Sequence, residues 1–258
     1  MSSFFTLEKA TIAGLDYFTV KSPALGHRAD ISVYKPKGNH QNLPVVLLLH
    51  GVYGSHWAWS SKAEVHLTLQ RLIDEGKIPP MLLAMPSDGL FQDGSGYLPH
   101  KKANYERWIV EDVPLLLKEN YEEVSGYSPF FIAGLSMGGY GALRLGAKYP
   151  QLFKAFSGLS SITRFEQLGK FVENFDLLKA SVLKEEEVLD VILEYKDTLR
   201  PFRFDCGSKD ILFEANVALH KQLTAQGIKH DFYVYDGEHS WGYWQQHIVE
   251  SLLFFAQC

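Results

Sequence analysis

The segment 134–138 reads Gly-Leu-Ser-Met-Gly, and the serine at its centre could act as a nucleophile. This Gly-x-Ser-x-Gly spacing is typical of a sharp turn from a strand into a helix, where the glycines leave room that a Cβ would fill. The flanking residues agree, because the apolar run 129–133 predicts a buried strand and residues 139–149 predict a helix. We therefore predict that Ser136 presents its hydroxyl above a sheet, at the amino end of a helix.

A serine hydroxyl is a poor nucleophile near neutral pH, so it requires a base, normally a histidine that a carboxylate orients. Asp210 follows the predicted strand 202–206, and His239 follows the predicted strand 229–235. Because the carboxyl ends of parallel strands lie at one edge of a sheet, we expect both side chains close to Ser136. The sequence thus predicts a Ser136, Asp210 and His239 triad, with His239 as general base and then general acid.

Other histidines and aspartates fit these roles less well. Seven histidines lie upstream of the nucleophile or in segments that we interpret as surface: His27, His40, His56, His66, His100, His220 and His230. We expect His247 to be exposed on the last helix. Asp205 lies inside a predicted strand and Asp236 lies three residues before His239, so we interpret both aspartates as structural.

An ester-cleaving site also needs N–H donors for the oxyanion that forms during the reaction. Met137, directly after the nucleophile, is expected to supply one backbone N–H, and the loop after an earlier strand supplies the other. That loop begins at His50, after the apolar run 44–49. We predict Val52 as the second donor, with Tyr53 as the alternative, and interpret His50 as a residue that orients the loop.

Substrate-contacting and metal-binding residues are less distinctive. Five aromatic residues are candidates for the pocket: Tyr53, Trp57, Trp59, Trp241 and Trp244. We expect most of them to pack in the core, and only Tyr53 and Trp241 to line the substrate pocket.

The loop 88–97 is rich in Asp and Gly, but it lacks the ligand spacing of an EF-hand, and no His/Cys cluster indicates zinc. We therefore predict no metal and no cofactor, and place this loop at the rim of the active site.

The elements that must position these residues alternate along the chain. Apolar runs predict strands at 11–20, 28–35, 44–49, 81–85, 129–133, 155–159, 202–206 and 229–235. Helical spacing predicts helices at 61–75, 104–121, 139–149, 213–226 and 241–255, with a kink or restart at Pro114. Such alternation implies an α/β fold, a mostly parallel central sheet with helices on both faces. We expect the first two strands to form its antiparallel edge.

Residues 160–198 break this strand–helix rhythm. We interpret them as a small insertion above the carboxyl edge of the sheet, where it could form a lid or one wall of the pocket. No repeat, low-complexity tract or linker divides the chain. We therefore predict one domain over residues 1–258.

Composition narrows the class of protein. The 258 residues are 46% hydrophobic, which suffices for a large core, and the net charge of −5 offers no basic face for nucleic acid. Residues 1–9 lack the features of a signal peptide, and no apolar run is long enough to cross a membrane. Only two cysteines occur, Cys206 and Cys258, which favours a reduced, cytoplasmic protein.

Four segments together resemble the putative-esterase family of α/β-hydrolases, which includes esterase D (S-formylglutathione hydrolase), feruloyl esterases, tributyrin esterases and mycolyltransferases. They are Leu48-Leu49-His50-Gly51, Gly134-Leu135-Ser136-Met137-Gly138-Gly139, Asp205-Cys206-Gly207-Ser208-Lys209-Asp210 and His239-Ser240-Trp241-Gly242-Tyr243-Trp244. The resemblance implies the α/β-hydrolase fold, with Ser136, Asp210 and His239 as the triad and Val52 and Met137 as oxyanion donors. It is also compatible with a homo-oligomer, a dimer or a tetramer.

The predicted function is that of a serine carboxylesterase, which hydrolyses small, short-acyl esters through an acyl-enzyme. A thioesterase similar to S-formylglutathione hydrolase would use the same residues with a different alcohol-side pocket. A third possibility is a non-catalytic binding protein on the same fold, against which the complete Ser/Asp/His set argues. Basic residues around the pocket, suited to a glutathione carboxylate, would favour the thioesterase.

Overall fold

The structure, a computed structural model, describes residues 6–258. Residues 1–5, on which part of the signal-peptide prediction rests, lie outside the described residues. The strands are β1 Leu7–Ile12, β2 Leu15–Lys21, β3 Arg28–Tyr34, β4 Val45–Leu49, β5 Leu82–Pro86, β6 Phe130–Leu135, β7 Phe153–Leu159, β8 Phe202–Gly207 and β9 Asp231–Tyr235. They form a single nine-stranded sheet in the order β1-β2-β3-β5-β4-β6-β7-β8-β9.

Helices cover both faces of this sheet. They are α1 Ala58–Lys62, α2 Val65–Asp74, α3 Tyr105–Arg107, α4 Val113–Asn120, α5 Met137–Lys148, α6 Phe175–Ser181, α7 Val188–Glu194, α8 Phe213–Ala225 and α9 Trp241–Phe255. A π-helical turn at Trp108–Asp112 joins α3 to α4, and 3₁₀ turns lie at Phe165–Lys170 and Lys196–Thr198. Within residues 6–258, no helix combines the length and the apolar character that a bilayer crossing requires.

The sheet has a parallel part and an antiparallel edge, as the sequence predicts. Strands β4 to β9 run parallel to one another, whereas β1, β2 and β3 pair in antiparallel fashion. Every residue of β4, β5, β6 and β8 is buried, because a separate hydrophobic cluster covers each face of the sheet. This double coverage explains why β4, β5 and β6 read as unbroken apolar runs rather than as alternating patterns.

The first predicted strand, 11–20, is wrong in its bounds, because a hairpin turn interrupts it. Strand β1 ends at Ile12, and β2 begins at Leu15. Ala13 and Gly14 have φ of 52° and 81°, and two positive φ angles in a two-residue loop match the twist of a β-hairpin. The Ala-Gly pair is a weaker hairpin signal than Asn-Gly, so the sequence did not reveal the turn.

Two predicted helices are interrupted. The prediction 61–75 becomes α1 and α2, separated by Glu64, which has a left-handed φ of 47°. The prediction 104–121 becomes α3, the π-helical turn and α4, with Pro114 in the first turn of α4. Proline has no N–H to donate to the preceding turn, which accounts for the restart that the sequence predicts there.

A buried charge network holds the 160–198 region against α5. Arg144 on α5 is fully buried, and its guanidinium lies 2.6 Å from the Glu186 carboxylate. Lys148, one turn further along α5, lies 3.0 Å from Glu186 and 2.9 Å from Glu106. Burial opposes ionisation of Glu186, but the two cations outweigh it and hold the pKa of this carboxyl below its usual value.

Candidate active site

Ser136 lies at a strained turn between β6 and α5. Its φ of 53° and ψ of −116° are unusual for a non-glycine residue. The close packing around the turn explains the two glycines, because a Cβ on Gly134 would lie 2.2 Å from the Gly138 carbonyl oxygen. A Cβ on Gly138 would lie 2.2 Å from the Leu49 carbonyl oxygen. Backbone contacts this short leave no room for a side chain, so the turn requires both glycines.

The three side chains predicted as a triad lie in one hydrogen-bonded line. His239 Nε2 is 3.0 Å from Ser136 Oγ, and His239 Nδ1 is 3.0 Å and 2.9 Å from the two Asp210 carboxylate oxygens. An ionised carboxylate only accepts hydrogen bonds, so Nδ1 carries the proton that it donates to Asp210. Nε2 is then free to accept the proton of the serine hydroxyl, which is the arrangement that a general base requires.

The loops that carry Asp210 and His239 hold each other in position through backbone contacts. Lys209 N–H donates to the Gly237 carbonyl at 2.9 Å, and a Cβ on Gly207 would lie 2.4 Å from that same oxygen. Asp210 itself is fixed by the Leu212 N–H, which donates to its Oδ1 at 2.7 Å. The carboxylate therefore has a fixed position from which it can orient the imidazole.

The loop after β4 runs beside Ser136, and it carries the N–H group predicted as an oxyanion donor. A Cβ on Gly51 would lie 3.4 Å from the Ser136 Cβ, which shows how closely the loop approaches. Tyr53 N–H donates to the Asp93 carbonyl at 2.9 Å and is therefore occupied. In the part of the chain that the structure describes, the Val52 and Met137 N–H groups donate to no protein acceptor. These two N–H groups are the ones predicted for the oxyanion.

The buried side chain of His50 orients the loop after β4. Its Nδ1 lies 2.7 Å from the Gly51 carbonyl, and its Nε2 accepts the Asp88 N–H at 3.0 Å. Burial lowers the pKa of His50, although Asp88 partly offsets this effect, so the ring is neutral, with the proton on Nδ1. The imidazole thereby connects the loop after β4 to the loop after β5.

Two aromatic rings that were not predicted as site residues lie directly against the imidazole of His239. Phe171, from the 160–198 region, stacks on His239 with ring centroids 5.2 Å apart, and Trp244 meets His239 edge-on at 4.9 Å. Trp241 lies behind Trp244, at 5.3 Å, and Tyr53 is 61% exposed on the loop after β4. The sequence carries no signal for Phe171, because its segment follows no strand–helix pattern.

The competing residues lie elsewhere. Asp205 forms a buried ion pair with Arg203 at 3.0 Å, and the exposed Asp236 pairs with Lys209 at 2.8 Å. The expectation that His247 is exposed is wrong, because it is buried and stacks on Tyr235 with ring centroids 4.2 Å apart. His100, interpreted as surface, is also buried. Among residues 6–258, no group of three or more His, Cys, Asp or Glu side chains could hold a metal ion.

A groove of about 770 Å³ lies between the 160–198 region and α8. None of its lining residues belongs to the predicted triad, although Thr163, Lys170 and Ile211 of this lining are next in sequence to Ile162, Phe171 and Asp210. Its charged lining residues are Arg164, Lys170, Glu166, Glu187, Asp190 and Glu214. Acids outnumber bases here, even with Glu166 paired to Lys179 at 2.7 Å.

Comparison with known proteins places the chain in a family. Residues 22–255 match the family described as "Putative esterase". An acetyl esterase from Caldicellulosiruptor saccharolyticus is 24% identical over 236 residues, which cover 84% of this chain and 85% of that protein. An endo-1,4-beta-xylanase/feruloyl esterase from Xylanibacter ruminicola is 27% identical over 154 residues, 56% of this chain and 21% of that larger protein.

Solved structures show the same fold at low sequence identity. A ferulic acid esterase superposes with a TM-score of 0.80 at 24% identity, covering 94% of this chain and 97% of its own. An S-formylglutathione hydrolase from Staphylococcus aureus superposes with a TM-score of 0.78 at 17% identity, covering 98% and 100%. The chain belongs to the putative-esterase family, has the α/β-hydrolase fold and is a carboxylic ester hydrolase.

Proposed function

We propose that this member of the putative-esterase family hydrolyses small, short-acyl carboxylic esters with Ser136 as nucleophile, His239 as general base and Asp210 as the orienting carboxylate. The observation that carries the proposal is the unbroken line of hydrogen-bonding distances from Asp210 through His239 to Ser136. A strained serine, an oriented imidazole and a buried carboxylate in this order form a nucleophile that is activated by an adjacent base.

In the proposed mechanism, His239 Nε2 takes the proton of Ser136 Oγ as that oxygen attacks the ester carbonyl. The negative charge develops on the carbonyl oxygen, where the Val52 and Met137 N–H groups are available to donate. His239 then protonates the leaving alcohol, and an acyl-serine remains. Water, deprotonated by the same imidazole, attacks the acyl-serine; His239 returns this proton to Ser136 Oγ, and the acid is released.

Tight packing near the nucleophile supports a short acyl group. A Cβ on Gly94 would lie 2.4 Å from the Met137 sulfur and 3.5 Å from a Val52 side-chain carbon, so the loop 88–97 presses against both proposed oxyanion residues. This contact agrees with the predicted position of the loop at the active-site rim. The similarity to an acetyl esterase supports the same size of acyl group. We retain Tyr53 and Trp241 as pocket residues in the proposal.

Thioester hydrolysis is the second candidate, because S-formylglutathione hydrolases share the fold. Glutathione carries two carboxylates and one ammonium group, so its binding site should be rich in basic residues. The similarity to an acetyl esterase over most of both chains instead supports an oxygen ester as the substrate, and we therefore rank the oxygen ester first.

The proposal also covers the cellular location, the partners and the oligomeric state of the protein. Two free cysteines, a buried Cys206 and an exposed Cys258, agree with a cytoplasmic location. The net charge of −5 disfavours nucleic acid as a partner. A homo-oligomer, which the family resemblance allows, can be tested by light scattering of the purified protein.

The decisive experiment compares wild type with Ser136→Ala on p-nitrophenyl acetate, butyrate and octanoate. We expect kcat/KM to be highest for acetate or butyrate, and the variant to lose at least about 10⁴-fold in kcat. Ser61→Ala, which removes an exposed hydroxyl on α1, is the control and should leave the rates unchanged. Equal activity of wild type and Ser136→Ala would refute the assignment of the nucleophile. A higher kcat/KM for S-formylglutathione than for every oxygen ester would favour the thioesterase.

A further inference from the structure

A second cavity, of about 390 Å³, lies between the segment after β5 and helix α6. None of its lining residues belongs to the proposed triad or to the loop after β4. Its apolar surface comes from Leu25, Phe91, Ala103, Tyr105 and Leu177. A cavity of this size holds a small organic molecule, and it shares no lining residue with the groove between the 160–198 region and α8.

Three aromatic rings form one wall of this cavity. His100 meets Phe91 and Tyr105 edge-on, with ring centroids 4.6 Å apart in both pairs. His100 is fixed by its Nε2, 2.8 Å from the Ser95 carbonyl, and by its Nδ1, 3.1 Å from the Ser181 hydroxyl. Burial lowers the pKa of His100, so this ring is neutral. A planar aromatic ligand would find faces and edges to stack against here.

The hydroxyl of Tyr105 has no hydrogen-bond partner among residues 6–258, although the residue is only 4% exposed. Tyr105 lines the cavity, and its hydroxyl oxygen is not among the fully sealed, unpartnered polar atoms of the described chain. Burial and the nearby Asp88 carboxylate raise the pKa of Tyr105 to about 12, so the hydroxyl keeps its proton. This accessible hydroxyl is therefore free to donate to a ligand oxygen.

The rim of the cavity is basic, in contrast to the whole chain. Lys101, Lys102 and His27 line it, and none of its lining residues is a carboxylate. The Lys101 ammonium donates to the Ala180 carbonyl at 2.7 Å, which holds it at the mouth, and Lys102 is exposed and makes no ion pair within the described chain. Although the whole chain has a net charge of −5, the positive charge at this rim favours the binding of an anion.

We propose that this cavity is a non-catalytic binding site for an aromatic carboxylate. The ring stacks against Phe91, His100 and Tyr105, and the carboxylate accepts from the Tyr105 hydroxyl and lies near the Lys102 ammonium. Because the site shares no residue with the proposed triad, it does not depend on the proposed ester cleavage.

Isothermal titration calorimetry with cinnamate tests the site, and cinnamamide is the uncharged probe of the same shape. For wild type we expect cinnamate to bind with a Kd of about 0.1–1 mM, as suits a ligand of this size, and cinnamamide to bind about tenfold more weakly. The absence of saturable cinnamate binding, or equal binding of the two probes, would overturn the proposal.

Three variants locate the binding. Tyr105→Phe removes the donor, Lys102→Glu reverses the rim charge, and Ala180→Trp fills the mouth with an indole. Each should weaken cinnamate binding at least about fivefold and leave p-nitrophenyl acetate hydrolysis and the thermal unfolding midpoint unchanged. Lys154→Glu, an exposed lysine of β7 outside the cavity, is the matched control and should bind as wild type does. Unchanged affinity in all three variants would place the ligand elsewhere and refute this site.

Discussion

At the scale of single residues, the imidazole of His239 depends on Asp210 for its orientation and its tautomer. Asp210→Asn keeps the shape of the side chain but places an amide beside Nδ1, which favours the tautomer with the proton on Nε2. A ring protonated at Nε2 cannot accept from Ser136. We expect kcat for p-nitrophenyl acetate to fall about 10⁴-fold, measured at pH 7, with the fold intact by circular dichroism.

Asp236→Asn is the matched control for this substitution, because Asp236 lies in the same group of loops but pairs with Lys209 at the surface. Its activity should stay within about twofold of wild type. A loss in Asp236→Asn as large as that in Asp210→Asn would identify Asp236 as the orienting acid.

The ring of Phe171 covers one face of His239, so it should influence how the imidazole is held. Phe171→Ala removes this stacking and admits water to the base. We expect kcat to fall about tenfold, with a smaller change in the free energy of unfolding than a fully buried phenylalanine would give, because Phe171 is only partly buried. Steady-state kinetics and urea unfolding measure the two effects. An unchanged kcat would show that the ring only fills space.

At the scale of elements, the ion pairs of Glu186 hold the 160–198 region to α5. Glu186→Ala removes the carboxylate 2.6 Å from the buried Arg144 and leaves it only Glu106, at 3.9 Å. We expect the free energy of unfolding to fall by about 3–5 kcal/mol, measured in urea. Glu185→Ala, next in sequence but exposed, should change it by less than about 0.5 kcal/mol. Similar losses in the two variants would show that the buried pairs contribute no special stability.

Sequence patterns predicted the elements near the proposed triad better than the elements far from it. The strand before Ser136, β6, is an apolar run that is buried throughout, so its pattern is strong. Asp210 and His239 likewise follow the ends of strands, β8 and β9. The sequence did not predict the hairpin turn at Ala13 and Gly14. This turn needs positive φ angles at both residues, which the pair Ala-Gly indicates only weakly.

Long-range contacts explain the remaining failures. His247 is buried by aromatic rings from β9 and from its own helix, a contact that helical spacing alone does not reveal. Phe171 reaches His239 from a region whose path is set by the buried Glu186 ion pairs. The positions of His247 and Phe171 are determined by tertiary packing. The sequence alone could therefore indicate the chemistry of the site, but not which residues enclose it.

At the scale of the whole molecule, a buried carboxyl connects stability to pH. Burial raises the pKa of Asp205 from 3.8 to about 6, despite the nearby Arg203. Between these values the folded state keeps a proton that the unfolded state releases, so this contribution to stability is present below pH 4 and is lost as the pH rises through 6. Relative to Asp205→Asn, wild type should lose about 3 kcal/mol of unfolding free energy between pH 4 and pH 7.

Urea unfolding of both proteins across this pH range measures the difference. Asp236→Asn serves as the control of opposite sign, because the hydrogen bond from Lys209 lowers the pKa of the exposed Asp236. Its pH dependence should be small and should favour wild type as the pH rises. Parallel stability curves for wild type and Asp205→Asn would contradict the role assigned to Asp205.

Helix α5 begins directly after Ser136 and carries, two and three turns later, the cations that bind Glu186. Ser136 and the 160–198 region, which places Phe171 over His239, are therefore both attached to helix α5. We therefore expect the 160–198 region to act as a fixed wall of the site, which does not open and close during turnover. We expect turnover of a soluble ester to begin without a lag, and added glycerol to slow it only as far as viscosity slows diffusion.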